Sequence, residues 1–182
     1  MNELDFKMGK IIFVTGPVRS GKSDFAVKYA IENFKDGIFI ASAKPIDDEM
    51  KKRIEKHKKN RPKKWLTIEE DINIDEVVKD LKEKELIIDC ITIWVSNMLF
   101  NNFTEEKIIK KVKNLIGNIR ENNLSAIIVS NEVGWGIVPE NKLARIFRDL
   151  IGKIHQIISE NSDYVYLLVS GIPLILKGEK NA

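Results

Sequence analysis

Short, nearly unbroken apolar runs alternate along this chain with longer stretches of mixed polarity. The runs are Lys10–Thr15 (KIIFVT), Gly37–Ser42 (GIFIAS), Glu85–Cys90 (ELIIDC), Ser125–Ser130 (SAIIVS) and Asp163–Ser170 (DYVYLLVS). They are rich in Ile and Val and lack the strict alternation of a half-buried strand. That pattern predicts strands covered on both faces, as in a parallel sheet. Helical patterning fills the intervals at 22–34, 47–59, 73–83, 104–121 and 140–160. Strand and helix in alternation predict an α/β fold, an open, mostly parallel sheet flanked by helices with right-handed crossovers. A short last run, Ile172–Leu176, predicts an added edge strand. With no internal repeat and no Ser/Gly linker, the 182 residues read as a single domain, residues 1–9 forming a flexible N-terminal extension.

Composition narrows the class. A hydrophobic share of 43%, with 10 Gly and 5 Pro, excludes a disordered or collagen-like chain. The balance of 30 Lys+Arg against 27 Asp+Glu leaves a net charge of +3, which calls for neither nucleic acid nor a membrane surface. The lone Cys90 excludes an internal disulfide framework and a Cys-built zinc site, and fits a reducing cytoplasm. The opening MNELDFKMGK lacks the apolar core of a signal peptide, and no uncharged apolar run approaches the ~20 residues of a membrane span.

The first chemistry-bearing motif follows the first run. Gly16-Pro17-Val18-Arg19-Ser20-Gly21-Lys22-Ser23 matches G-x-x-x-x-G-K-[ST] and stands between a predicted strand and a predicted helix. Glycines let such a loop curl so that backbone N–H groups face phosphate oxygens. Lys22 places a cation on the β and γ phosphates, the Ser23 hydroxyl suits Mg²⁺, and the following helix adds its positive dipole end. The motif predicts binding of a nucleoside triphosphate. Its second half should be an acid at the end of a neighbouring strand. Asp89 closes ELIIDC and is the candidate to hold Mg²⁺, directly or through water; the competing reading is a cap for the next helix. Asn131 and Glu132 follow SAIIVS, where Glu132 orients water, metal or substrate, or only bonds its own loop.

One compositional shift stands out: nine of the fourteen residues in Lys51–Lys64 are Lys or Arg. Asp47, Asp48 and Glu49 open this helix and bases close it, in keeping with the macrodipole. Met50, Ile54, His57 and Arg61 fall on one helical face. By charge alone the run reads as a solvated face, and His57 as a packed residue. Set among those cations, His57 is the one side chain of the run that can offer a ring nitrogen as a nucleophile. The same cations would gather triphosphate and stabilise charge developing at phosphorus, which suits a nucleophile in nucleotidyl transfer. Nucleic acid is the weaker reading, since apart from Trp65 no aromatic is interleaved.

Several segments together resemble the bifunctional adenosylcobinamide kinase/adenosylcobinamide-phosphate guanylyltransferase family of cobalamin biosynthesis (CobU/CobP). They are VTGPVRSGKS (Val14–Ser23), the block Ile40–Glu70, LIIDCITIWVSNML (Leu86–Leu99), Val129–Gln156 and DYVYLLVSGIPLILK (Asp163–Lys177). The most particular are D-D-E-M-x-x-R-I-x-x-H-x-x-x-R-P-x-x-W and S-N-E-V-G-x-G-I-V-P. The resemblance implies a P-loop, RecA-like sheet and a homotrimer. It implies phosphorylation of the aminopropanol hydroxyl of adenosylcobinamide by ATP or GTP. Transfer of GMP from GTP to the product follows, with the guanylyl group carried on the histidine that falls at His57. Family nucleotide contacts fall on Gly16–Ser23 (Gly16, Pro17, Val18, Arg19, Ser20, Gly21, Lys22, Ser23), on Ala41, Ser42 and Ala43, on Lys58, Lys59, Asn60 and Arg61, and on Glu69 and Asp89. Two departures stand out. Pro17-Val18 replaces the usual Gly-Ala, so no phosphate contact can come from the nitrogen of residue 17. His155-Gln156 replaces Asn-Gln, and His155 is expected to have a surface or packing role. Two other readings remain beside the bifunctional enzyme: a P-loop kinase acting on another alcohol, and a nucleotide-dependent switch without small-molecule chemistry.

Overall fold

A computed structural model of the chain describes residues 9–45, 47–61 and 63–178, without the side chains of Met50, Arg53 and Asn60. The sequence expectation for the N-terminal extension therefore falls, except for Gly9, outside the described residues. So do the side chains of Asn60 and Met50.

The elements run β1 (Ile11–Thr15), α1 (Lys22–Asn33), β2 (Ile38–Ala41), α2 (Asp48–Asn60), β3 (Leu66–Glu69), α3 (Ile74–Lys79) and β4 (Glu85–Asp89). They continue α4 (Ile91–Phe100), α5 (Glu105–Glu121), β5 (Ser125–Val129), α6 (Lys142–Asn161), β6 (Tyr164–Val169) and β7 (Ile172–Lys177). The seven strands form one sheet in the order β3-β2-β4-β5-β1-β6-β7. All pairings are parallel except β6 with β7, which turn back on each other.

Each central strand feeds both faces, as the unbroken apolar runs require. Ile11 and Phe13 of β1, with Leu86, Ile88, Ala126 and Ile128, pack against α3, α4, α5 and α6. Ile12 and Val14, with Ile87, Ile127 and Val129, pack against Ala26 and Ala30 of α1. The period of two along a strand sends neighbours to opposite layers. Thr104 and Asn141 fix the starts of α5 and α6, each side chain accepting a hydrogen bond from a backbone N–H of the first turn.

Two elements were not legible as such in the sequence. β3 has four residues at an edge, with a mixed burial pattern, so its apolar signal is weak. α4 follows ELIIDC directly and is apolar almost all round, with Ile91, Trp94, Val95 and Met98 buried. A helix without a polar face gives no 3.6-residue period to read.

Candidate nucleotide and phosphoryl-transfer site

Parallel pairing puts the ends of β1, β2, β3, β4 and β5 along one edge, since Ala41 stands opposite both Glu69 and Asp89, and Asp89 opposite Val129. The residues singled out from the sequence fall on the strand ends Ala41, Glu69 and Asp89, on the loops after β1, β2 and β5, on the first turn of α1 and on the last turn of α2 with Arg61. This is where open α/β sheets bind ligands.

The phosphate loop joins β1 to α1. Gly16 is required by space: a Cβ there would stand 2.3 Å from the carbonyl oxygen of Leu168. Arg19 (φ 59) and Gly21 (φ 90) take left-handed conformations, the kind of backbone that turns N–H groups into one concavity. Ser20 is buried; its N–H bonds Pro17 O at 3.3 Å and its own carbonyl accepts from Gly171 N at 3.0 Å. Lys22 is 6% exposed, and its Nζ donates to Pro17 O at 2.6 Å and to Ser20 Oγ at 3.3 Å. Burial pulls its ammonium below the usual lysine range, against the opposing pull of Cys90 and Asp89. Pro17 thus serves the loop through its carbonyl. Val18 is exposed.

Asp89 ends β4, as read from the sequence, but β4 is not the neighbour of β1. Strand β5 lies between them. The expected adjacency is corrected: the acid sits one strand further from the phosphate loop. Even so, Asp89 accepts a side-chain hydrogen bond from Ser23. It does not cap the next helix, whose N-cap is Cys90 without a side-chain cap bond. Burial raises the Asp89 carboxyl above its ordinary value, while Ser23, His57, Lys22 and Arg61 pull the other way.

The basic helix α2 reaches this acid from the side. His57 is exposed, so the packed reading of the histidine is overturned. It lies within electrostatic reach of Asp89. Arg61 lies over the Phe39 ring, with its guanidinium carbon 4.8 Å from the ring centre and its side chain only 10% exposed. Its Nε is buried without a partner. Burial lowers the guanidinium, and the charges of Glu69 and Asp89 oppose that shift. Lys58 Nζ sits 2.6 Å from Glu69 Oε1, and that hydrogen bond is the main cause holding the Glu69 carboxyl below the ordinary range. Lys59 is exposed.

Ala41, the last residue of β2, is buried, and Ala43 beyond it is half-buried. The Ser42 hydroxyl donates to Cys90 O and accepts from Cys90 N, both at 2.8 Å. It ties β2 to the turn that carries Asp89. Cys90 itself is buried, as expected of a small core residue, and burial pushes its thiol up to about 11.

His155 is not a surface residue. It is 9% exposed, packs edge-on to Phe13, and makes polar contacts with Ser130 and Glu132. Sequence reading missed Ser130 and Thr92 as members of this edge. Their polar side chains at the start of a loop and a helix were the available signal, but 63 residues separate Thr92 from His155.

A hard cation fits Ser23 and Asp89. Both offer oxygen, and the donor set is small enough to leave positions for phosphate oxygens and water, as Mg²⁺ prefers. Among the described residues no group of three or more His, Cys, Asp or Glu is arranged to cage a metal alone. Nor is any described helix long and apolar enough to cross a membrane.

Comparison with known proteins bears on the fold and the family. A KaiC-like protein from Pyrococcus horikoshii OT3 superimposes with a TM-score of 0.56 at 20% identity, covering 95% of this chain and 81% of that one, a likeness of fold. The bifunctional adenosylcobalamin biosynthesis protein CobU of Escherichia coli K12 is 36% identical across 92% of this chain and 99% of its own length. CobU of Salmonella typhimurium LT2 is 38% identical over the same shares. CobP of Pseudomonas aeruginosa PAO1 is 35% identical over 91% of this chain and 96% of its own. The family described as cobinamide kinase / cobinamide phosphate guanyltransferase matches residues 12–176, and with nearly the whole sheet and its carboxyl edge inside that span, the chain belongs to this CobU family.

Proposed function

We propose that this chain performs both reactions of its family at the carboxyl edge of the sheet, with His57 carrying the guanylyl group between them. The single observation that supports this most is the convergence of Ser23, Lys22, Arg61 and His57 on Asp89. It sets a phosphate-binding loop, a cation site and a nucleophile within reach of one nucleotide.

In the first reaction the aminopropanol hydroxyl of adenosylcobinamide attacks the γ-phosphorus of ATP or GTP, the bond to the β,γ-bridging oxygen breaks, and the nucleoside diphosphate leaves. The residues Gly16–Ser23 cradle the phosphates, and Lys22 offsets their charge. Ser23 and Asp89 would hold Mg²⁺, which when bound neutralises charge on the β and γ oxygens. Phosphoryl transfer of this kind depends on positioning and charge stabilisation more than on covalent chemistry.

In the second reaction His57 attacks the α-phosphorus of GTP. An N–P bond forms, the bond to the α,β-bridging oxygen breaks, and pyrophosphate leaves. A phosphate oxygen of adenosylcobinamide phosphate then displaces the imidazole, giving adenosylcobinamide-GDP. Lys58, Lys59, Asn60 and Arg61 line the nucleotide beside His57, with Ala41, Ser42, Ala43 and Glu69 on the neighbouring strand ends. Exposure of His57 leaves its ring accessible to the α-phosphorus, and the resulting guanylyl group accessible to the incoming phosphate oxygen. Exposure of Lys59 beside it adds an accessible cation for the triphosphate.

A homotrimer in the cytoplasm completes the reading. Strand β7 favours self-association, since Ile172, Leu174 and Leu176 are 64%, 48% and 60% exposed at the sheet edge. Sedimentation of the purified protein tests the stoichiometry. The chemistry is tested with [α-³²P]GTP and [γ-³²P]GTP in parallel. The α label should remain on the denatured protein in acid-labile form, and the γ label should pass to adenosylcobinamide. Absence of both would refute the reading.

A further inference from the structure

Beside the phosphate loop lies a chain of polar side chains that the two reactions, as described, leave without a task. Glu132 N donates to Gly16 O at 2.8 Å, which fastens the residue directly to the loop. Its side chain is 19% exposed; Oε1 accepts from Gly134 N at 2.5 Å, and Oε2 stands 3.5 Å from His155 Nδ1. His155 Nε2 is 2.8 Å from Ser130 Oγ, which is fully buried and 3.4 Å from Thr92 Oγ1. Thr92 Oγ1 also accepts from Asn131 N at 2.9 Å. One tautomer satisfies every member. Thr92 donates to Ser130, Ser130 donates to Nε2, and Nδ1–H donates to Glu132. Burial holds the imidazole below its ordinary range, so the ring is neutral.

Four other acids at this edge have partners that occupy them. Asp89 takes the Ser23 hydroxyl and faces Lys22, Arg61 and the His57 ring. Glu69 is paired with Lys58, and Asp71 with Lys44 at 2.5 Å. Glu70 accepts from the N–H groups of Ile72 and Asn73. Glu132, by contrast, meets the His155 ring at 3.5 Å and the Gly134 amide at 2.5 Å, neither of them a Lys or Arg. A space of this kind could be filled by apolar side chains at lower desolvation cost, which makes a buried polar chain aimed at one carboxylate a candidate for function.

We propose that Glu132 is the carboxylate that orients and deprotonates the acceptor hydroxyl in phosphoryl transfer, and that His155, backed by Ser130, is the positioning residue that aims it. This rests on the kinase reading above. In the step, the hydroxyl oxygen bonds to the γ-phosphorus. The bond from that phosphorus to the β,γ-bridging oxygen breaks, and its electron pair leaves with the nucleoside diphosphate. The hydroxyl proton passes to a Glu132 carboxylate oxygen and is later released to solvent.

The experiment follows transfer from [γ-³²P]GTP to adenosylcobinamide, alongside labelling of the protein by [α-³²P]GTP. Glu132→Gln keeps the shape of the side chain and its bond from Gly134 but cannot take a proton. Its kcat for phosphorylation should fall about 100-fold or more, with the KM for GTP within about threefold of wild type. The α label, which reports a folded protein, should persist. His155→Ala should also lower kcat at near-constant KM, and His155→Asn, whose amide nitrogen takes the place of Nδ1, should restore most of the loss. A Glu132→Gln enzyme with kcat within about threefold of wild type would overturn the base assignment. An Asn variant no better than the Ala variant would overturn the positioning role. Wild-type protein that takes the α label yet never phosphorylates adenosylcobinamide would instead refute the kinase reading itself.

Discussion

Ser23, in the first turn of α1, donates its hydroxyl to Asp89 at the end of β4, although β5 lies between β4 and the strand that leads into α1. Two strand spacings amount to roughly 10 Å. The contact closes that distance because the phosphate loop carries α1 back over the strand ends. The two residues proposed to hold the cation are thus in contact, and the loop after the inserted strand carries Asn131 and Glu132 along the same edge. Inserting β5 places a further carboxylate at the centre of the edge.

Lys22→Ala should cripple phosphorylation while leaving the fold in place. The ammonium is almost fully enclosed, with Pro17 O and Ser20 Oγ as its partners. Losing one preorganised charge of this kind costs on the order of 2–4 kcal/mol in the transition state. Steady-state transfer from [γ-³²P]GTP should therefore fall by roughly two orders of magnitude. Turnover near the wild-type rate would remove Lys22 from the phosphate site.

Asp89→Asn should separate activity from stability. Burial raises the folded carboxyl above its ordinary value of 3.8, so the fold prefers the protonated form. Stability from this group is then fully present at low pH. It is lost as pH rises from the unfolded value through the higher folded one. The amide carries no such penalty. In a chelator-treated sample at neutral pH its Tm should equal or exceed that of wild type, and below about pH 3.8 the difference should vanish. Metal-dependent turnover should drop sharply in the same variant. A variant that lost Tm at neutral pH and kept its turnover would contradict both halves.

Much of this arrangement was legible before any coordinates, and the reasons are local. KIIFVT followed by the glycine-lysine-serine loop defines strand, turn and helix within fourteen residues, each by its own chemistry, and the structure reproduces them from Ile11 to Ser23. Asp89 was found because a strand-end acid after an apolar run is a local signal too. Its separation from β1 was not, because strand order depends on contacts between segments distant in sequence. β3 and α4 escaped for opposite reasons, too little apolar character in Leu66–Glu69 and too much in Ile91–Phe100. The polar chain through His155 was also hidden. Helix α6 presents Leu150, Ile151, Ile154 and Ile158 to the core, and His155 shares that buried face. Nothing in a helical pattern says that one member of an apolar face meets a serine and a glutamate from another loop.

The neutral His155 should leave a mark on stability. Burial depresses its protonation relative to the unfolded value of 6.5, with the Glu132 charge opposing. The unfolded chain then binds the extra proton first, so stability is present above about pH 6.5 and declines as pH falls below it. His155→Asn removes the titrating ring and should flatten that part of the Tm-against-pH curve. An unchanged slope between pH 7 and pH 5, measured as on the order of the wild-type slope, would mean that other groups set the acid limb.

His57→Ala should split the two reactions. Phosphoryl transfer to an alcohol needs positioning and charge stabilisation but no covalent bond to the protein. Lys22, Ser23 and Asp89 supply those without an imidazole. Guanylyl transfer through an N–P bond needs a nucleophilic nitrogen, and alanine has none. The ring is exposed on α2, so its removal leaves no cavity and the fold should be unaffected. The variant should therefore still convert adenosylcobinamide to its phosphate from a triphosphate. It should retain no label from [α-³²P]GTP after denaturation and form no adenosylcobinamide-GDP. Loss of both reactions with a lowered Tm would mark His57 as structural. Label that persists in His57→Ala and disappears in His155→Ala would move the covalent step to the buried histidine. In that case the ring held between Ser130 and Glu132 would have to leave its hydrogen bonds to reach phosphorus.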